Sequence, residues 1–260
     1  MECVFNFENK HILVTGASRG LGSVCAKALS EAGSKLVLMA RSEDKLNNVR
    51  NSCFKPENHL VIPADLTERD QLHSGIDAAL SFLKHIDVVL HVAGAGLGLR
   101  DSLLSAEDLH RLFALNVGIA AEINRLVVPD MITRGCGNLV HVCSIASTEA
   151  TGSVGYNTVK ASLAAYVRSL GREIAGSGVV VTGMLPGGFY APENAMARLE
   201  ETKPEIYKKF IEERLPRKVM GTAEELVPMI LLLCSNAASM MGGCLVPIDA
   251  GEGKAYVAHE

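Results

Sequence analysis

Tryptophan is absent from the 260-residue chain, and aromatic residues make up only 5% of it. The interior must therefore be built from Val, Leu, Ile and Ala, within a hydrophobic share of 48% that suits a large core and excludes a disordered chain. Excess charge is lacking as well. A net charge of −4 leaves no basic footprint for nucleic acid or an anionic membrane surface. Seven cysteines (Cys3, Cys25, Cys53, Cys136, Cys143, Cys234 and Cys244) include no CxxC pair, and their odd number argues against a disulfide framework. Reduced thiols in a cytoplasmic compartment are expected, with Cys143 as a small buried hydrophobe. His11, His85, His91 and His141 show no metal-ligand spacing and read as structural, so no metal is expected. The opening MECVFNFENKHILV lacks the basic flank and continuous apolar stretch of a signal peptide, and no run approaches the length of a membrane span. A small-molecule ligand fits what is left.

What is present is a regular alternation. Apolar runs at 11–16, 35–40, 59–64, 87–94, 138–144, 179–185 and 244–251 are near-continuous, as strands covered on both faces are. Helical periodicity fills 21–32, 43–52, 68–84, 106–134, 156–175 and 223–234. The alternation predicts an α/β fold, a three-layer doubly wound parallel sheet of Rossmann type with about seven strands, in a single domain over 1–260. Residues 186–222 break the rhythm at the end of a strand, where open α/β sheets place ligand-binding structure, and are expected to form a substrate lid.

The first strand runs into TGASRGLG at 15–22 and then straight into a helix. Gly16, Gly20 and Gly22 allow a tight turn and close backbone approach to a phosphate at a helix N-terminus, which predicts a dinucleotide site. No GK[ST] follows, which argues against a nucleoside-triphosphate loop. The second strand ends in Ala40 and Arg41 instead of an acid, and the loop carries Arg19. Two guanidiniums there favour a 2′-phosphate, hence NADP(H) over NAD(H). Asp65 is placed either to contact adenine or to cap the segment from Thr67. Tyr156 and Lys160, in GYNTVKAS, share a helical face at i, i+4, where an ammonium favours the phenolate and eases proton exchange.

These features, with DL at 65–66, AG at 93–94, Asn116, Ser144 and PG at 186–187, together resemble the short-chain dehydrogenase/reductase family, including its 3-oxoacyl-[acyl-carrier-protein] reductase-like members, from residue 8 to about 252. The resemblance implies hydride transfer between NADP(H) and a ketone or secondary alcohol. Tyr156 would be proton donor or base, and Lys160 its electrostatic partner and a ribose ligand. Ser144, preferred over Ser147, would bond the substrate oxygen, and Asn116 would hold a relay water. It implies cofactor contacts from Gly16, Ser18, Arg19, Gly20, Leu21, Gly22, Arg41, Asp65, Leu66, Ala93, Gly94, Tyr156, Lys160, Pro186 and Gly187. A homodimer or homotetramer is expected as the partner arrangement, with helices apolar on more than one face as its physical motive.

Three positions depart from the family pattern. His91 and Val92 stand where two asparagines are usual, which bears on bracing of the sheet. Ala191 replaces a threonine that would bond the nicotinamide carboxamide. Arg134 and Arg172 resemble basic positions used with carrier-bound 3-oxoacyl thioesters; a keto-sugar or other polar metabolite fits the mixed lid equally. A non-catalytic NADP(H)-sensing regulator or scaffold is the alternative of another class.

Overall fold

A computed structural model describes residues 5–255; Cys3 lies outside them. The strands are β1 (His11–Thr15), β2 (Lys35–Ala40), β3 (Leu60–Pro63), β4 (Val88–His91), β5 (Gly137–Val142), β6 (Val179–Pro186), β7 (Phe189–Tyr190), β8 (Gly221–Thr222) and β9 (Leu245–Ile248). The helices are α1 (Gly20–Glu31), α2 (Glu43–Ser52), α3 (Arg69–Leu83), α4 (Ala106–Phe113), α5 (Ile119–Arg134), α6 (Val154–Glu173), α7 (Ala195–Thr202), α8 (Pro204–Arg214) and α9 (Ala223–Cys234). Seven strands form one all-parallel sheet in the order β3-β2-β1-β4-β5-β6-β9, while β7 and β8 pair separately.

Alternate strand residues feed opposite layers. Leu13, Val37, Val89, Leu139 and Val181 pack under Ile76 of α3, Ile123 of α5 and Leu163 of α6. Ile12, Val14, Leu38, Leu90 and Val140 face Leu29 of α1, Leu46 of α2 and Ile230 of α9. Both faces are thus sealed, which is why the strands read as unbroken apolar runs. The six described cysteines are free; burial raises the Cys143 thiol to about 11, as befits a small core hydrophobe.

The helical segment expected over 106–134 is continuous but not uniform. A π-turn, Ala114–Gly118, joins α4 to α5, with Ile119 N–H reaching back to Ala114 O. The stretch Ala106–Arg134 is 29 residues and apolar enough to cross a membrane by length and composition. This corrects the expectation that no such run exists; half of its most apolar window is buried inside the fold, as in a core helix. Residues 187–222 carry β7, α7, α8 and β8 as an excursion between β6 and α9.

The substituted positions in β4 have their own bracing. His91 donates through Nε2 to Asn124 Oδ1 (2.9 Å), tying β4 to α5 in the core. Val92 and Ala93 both donate backbone N–H to Thr15 Oγ1 at 3.2 Å, which staples β4 to β1. Asn124 Nδ2 continues to Tyr166 Oη (3.1 Å) and His141 Nε2 (3.3 Å), and His141 Nδ1 donates to Thr182 O (3.2 Å).

Candidate active site

Neighbouring strands β1 and β4 send the chain in opposite directions across the sheet, so a crevice opens at their carboxyl ends. The glycine loop lies in that crevice. Gly16 takes a φ of +66°, and a Cβ there would fall 2.8 Å from Ala93 N. A Cβ on Gly22 would fall 2.3 Å from Gly16 O, so helix α1 can start tight against the turn only with glycine at that position. We expect Gly22→Ala to weaken NADPH binding about tenfold or more, read by quenching or enhancement of nicotinamide fluorescence on titration. An unchanged affinity would show that the loop does not hold the dinucleotide.

The chemistry-bearing side chains converge next to this loop. The widened π-turn places Asn116 inward, 2% exposed, with Nδ2 donating to Leu112 O and Ala95 O, each at 2.9 Å. Its Oδ1 is buried and has no partner in the protein. Both this oxygen and the Lys160 ammonium border Gly94: a Cβ there would sit 2.8 Å from Oδ1 and 3.4 Å from Nζ. Lys160, buried on α6, donates to Val142 O at 2.9 Å and keeps two further protons to give. Its Nζ lies 5.7 Å from the centre of the Tyr156 ring.

Tyr156 belongs to the first turn of α6, whose cap is Ser153 accepting from Tyr156 N (3.4 Å). Gly96 and Gly152 border its ring: Cβ atoms there would lie 3.6 Å and 2.9 Å from ring carbons. Ser144 caps the 3₁₀ turn Ile145–Ser147 by accepting from Ala146 N (3.1 Å), so its hydroxyl proton remains available to a ligand oxygen. Ser147 Oγ is buried without a partner. The set therefore offers a phenol, an ammonium, a hydroxyl donor and an orphaned amide oxygen on the same side of the sheet. Together they can hold a hydroxyl-bearing ring and pass a proton to or from a carbonyl oxygen.

The residues present fit a dinucleotide. Gly16, Gly22 and Gly94 stand where a Cβ would collide, Gly20 opens the helix in left-handed conformation at φ +58°, and Asn116 Oδ1 lacks the donor a ligand or its water would supply. Arg41 lies exposed at the end of β2, 4.0 Å from Asp65. Asp65 accepts from Thr67 N (3.0 Å) and Thr67 Oγ1 (2.7 Å); those bonds, the hydroxyl first, hold its carboxyl below the usual range. The capping use of Asp65 is thus present in the structure, with the rest of the carboxylate open.

Ala191 is buried in the core and offers no side-chain donor, but its neighbours reach the loop another way. Pro192 O accepts from Gly20 N–H (2.9 Å), and Glu193, in left-handed conformation at φ +58°, pairs with Lys45 of α2. At the far side of the excursion, Arg214 of α8 bonds Glu252 Oε1 (2.8 Å) and Thr151 O (3.3 Å). Glu252 in turn accepts from Gly188 N (2.5 Å), and burial pushes its carboxyl upward. Other cations of the excursion are occupied or solvent-facing: Arg217 pairs with Glu225, Lys218 with Glu212 O, while Lys208 and Lys209 lie exposed beside Glu212 and Glu213.

Arg134 and Arg172 are not at this end. Arg134 bonds Asp87 (3.1 Å) and Ile86 O (2.5 Å) just before β4 begins, and Arg172 sits in the last turn of α6 beside Gly243, ahead of β9. Both lie at the amino edge of the sheet, opposite the glycine loop. Sequence patterning missed the Arg214–Glu252 link, since nothing local relates helix α8 to residue 252, and the Pro192–Glu193 strap, which uses a backbone carbonyl and a long-range pair.

Comparison with known proteins agrees with this geometry. The profile of the short chain dehydrogenase family matches residues 10–202, and the chain belongs to that family of oxidoreductases. Gluconate 5-dehydrogenase of Gluconobacter oxydans (strain 621H) is 28% identical over 251 residues, covering 95% of this chain and 96% of that protein. A 3-oxoacyl (acyl-carrier-protein) reductase from Agrobacterium tumefaciens C58, solved with NADP bound, superposes with a TM-score of 0.88 at 25% identity over 95% of this chain and 96% of the other. L-sorbose reductase from Gluconobacter frateurii, complexed with NADPH and L-sorbose, gives a TM-score of 0.87 at 24% identity, over 97% and 99% of the two chains.

Proposed function

We propose that the protein is an NADP(H)-dependent reductase that converts a ketone of a keto-sugar or similar polar metabolite to a secondary alcohol, or the reverse. The observation that carries it is the convergence of Asn116 Oδ1 and Lys160 Nζ on the Gly94 cradle, beside Tyr156. When bound, the nicotinamide supplies or takes the hydride. Gly16, Ser18, Arg19, Gly20, Leu21 and Gly22 hold the dinucleotide phosphates, with Asp65, Leu66, Ala93, Gly94, Pro186 and Gly187 along its length. Arg19 and Arg41 receive the 2′-phosphate.

Ser144 donates its hydroxyl proton to the substrate oxygen and fixes it beside the phenol of Tyr156, which gives its proton in reduction and recovers it in oxidation. Lys160 steadies the phenolate by charge and donates to a ribose hydroxyl, while Asn116 Oδ1 orders the water that restores the proton. Residues 186–222 close over the substrate as the lid of one domain.

The substrate class rests on three supports. Gluconate 5-dehydrogenase is among the relatives, L-sorbose is the ligand of a fold neighbour, and the amino-edge placement of Arg134 and Arg172 removes the motive for a carrier-bound thioester from this chain's own pocket. Exposed Phe113 and Ile132 on the α4–α5 surface support a homodimer or homotetramer, measurable by light scattering. The charge balance supports a cytoplasmic location without nucleic-acid or membrane partners.

The test is NADPH oxidation against keto-sugars, oxo-aldonates, 3-oxoacyl thioesters and aromatic ketones, with NADH in parallel. Turnover of a keto-sugar or oxo-aldonate, at least about tenfold better with NADPH in kcat/KM, is the expected result. Preference for a thioester would overturn the substrate class. Tight NADPH binding with no turnover of these carbonyls, or of the matching alcohols with NADP+, would favour the sensing role.

A further inference from the structure

Two histidines far apart in the sequence meet at the amino edge of the sheet, at the opposite end of β1 and β4 from the catalytic groups. His11 opens β1, and His85 precedes β4; their rings stand 4.5 Å apart between centroids. Asp87 lies between the two strands. Its Oδ2 accepts from His11 N (3.0 Å) and lies 3.4 Å from His85 Nε2, while its own N–H donates to His11 O (2.8 Å). One ligand atom from each of His11, His85 and Asp87 lies within 4.8 Å of the other two. His11 Nδ1 is buried and has no partner in the protein.

We propose that His11, His85 and Asp87 form a structural site for a divalent transition metal, Zn2+ in the first instance. Two imidazole nitrogens and one carboxylate oxygen are donors that Zn2+ accepts, with water completing a four-coordinate shell. In such a shell neighbouring ligand atoms are about 3.3 Å apart, from metal–ligand distances near 2.0–2.1 Å. The part-exposed His85 side chain supplies the closing movement and the route from solvent.

The surroundings are those of a supported carboxylate. Asp87 Oδ1 is held by Arg134 Nη1 (3.1 Å), and Arg134 is itself anchored by Asp130 Oδ2 (2.8 Å) and Ile86 O (2.5 Å), so Oδ2 is the oxygen left facing the imidazoles. An outer hydrogen bond of this kind orients a ligating carboxylate. Lys35, the other cation near His11, is engaged elsewhere: its Nζ donates to Phe82 O (3.4 Å) and lies 4.0 Å from the centre of the Phe82 ring. A bound ion would clip the start of β1 to the segment leading into β4, adding a link across the centre of the sheet with no contact to substrate.

The test uses the full chain without an affinity tag, stripped with a chelator, then titrated with ZnCl2 by calorimetry and with CoCl2 by visible absorption. One equivalent of Zn2+ with a low-micromolar or tighter Kd is expected, with tetrahedral Co2+ bands and a rise in Tm. His85→Ala and, separately, Asp87→Asn should each weaken binding about tenfold or more. In His85→Ala, carbonyl reduction without zinc should stay within about twofold of the unaltered protein, because the site lies outside the catalytic crevice. His73→Ala, which removes the imidazole paired with Glu122, should leave binding unchanged. Absence of stoichiometric binding, or binding that follows His73 and not His85, overturns the proposal.

Discussion

Tyr156→Phe will reduce turnover by about 10²- to 10⁴-fold, the span ordinarily lost with a positioned proton donor, and will leave NADPH affinity within about threefold. The separation between the two readouts follows from how the ring is housed. Phenylalanine keeps the aromatic ring in the slot bordered by Gly96 and Gly152, the latter a position where a Cβ would collide with the ring, and it keeps the first turn of α6 capped by Ser153. Only the hydroxyl is lost. The cofactor contacts assigned to the glycine loop, Arg41 and Lys160 remain, and Lys160 stays anchored to Val142 O. Residual activity above about a tenth would mean that another hydroxyl of the crevice, Ser144 or Ser147, delivers the proton. A parallel loss of NADPH binding would mean that Tyr156 acts mainly as a cofactor ligand.

The second large effect is on stability in acid. His91 and His141 are buried and stacked, with ring centroids 4.5 Å apart. Burial drives both below their ordinary range, His91 to about 4. The hydrogen-bond pattern gives the reason in atoms. His91 already donates through Nε2, and its other nitrogen is enclosed without an acceptor; His141 accepts from Asn124 Nδ2 at the nitrogen a second proton would need. In the unfolded chain both titrate near 6.5. The unfolded state therefore binds protons that the folded state refuses, so the contribution is complete above about pH 6.5 and is lost as pH falls toward 4.

For His91 alone the difference amounts to about 3 kcal/mol, a sizeable part of the 5–15 kcal/mol of an ordinary domain. His59, lowered by burial, acts in the same direction, and Glu252, raised by burial, opposes it. Urea midpoints should therefore fall steeply between pH 7 and pH 4.5, and His91→Asn, which retains an amide in place of the imidazole, should flatten the slope. Equal midpoints across that range would show that these imidazoles take up protons equally in the folded and unfolded states.

Much of this was legible in the chain because it is local. The sheet could be read because parallel strands sealed on both faces are written as apolar runs, and those at 35–40 and 179–185 fall within a residue of β2 and β6. The glycine turn could be read because Gly22 answers to Gly16 and Ala17 a few residues away, although the close approach of Gly16 to Ala93 was not local. Tyr156 and Lys160 were visible as one helical face. What escaped depends on chain segments that meet only in three dimensions. The bracing at His91 is supplied by Asn124 and that at Val92 by Thr15, so the loss of an asparagine pair in the sequence did not show that another pair had taken over its work. Arg134 looked like a pocket residue by position in the chain, whereas its partners, Asp87 and Ile86, fix it to the other edge of the sheet.

The π-turn at Ala114–Gly118 ties the length of the chain to the direction of one amide. An ordinary α-helix advances about 100° per residue, and a π-turn takes up one extra residue within its own wider turn. Deleting a single residue between 114 and 118 would allow α4 and α5 to merge into one regular helix. The packing faces of α4 and α5 would keep their places, because the π-turn absorbs one residue locally, but the widened turn that aims Asn116 inward would be lost. The oxygen that borders the Gly94 cradle is thus set by residue count as much as by residue identity. Substitutions on the outward side of this segment leave that count intact, but a change of length by one cannot.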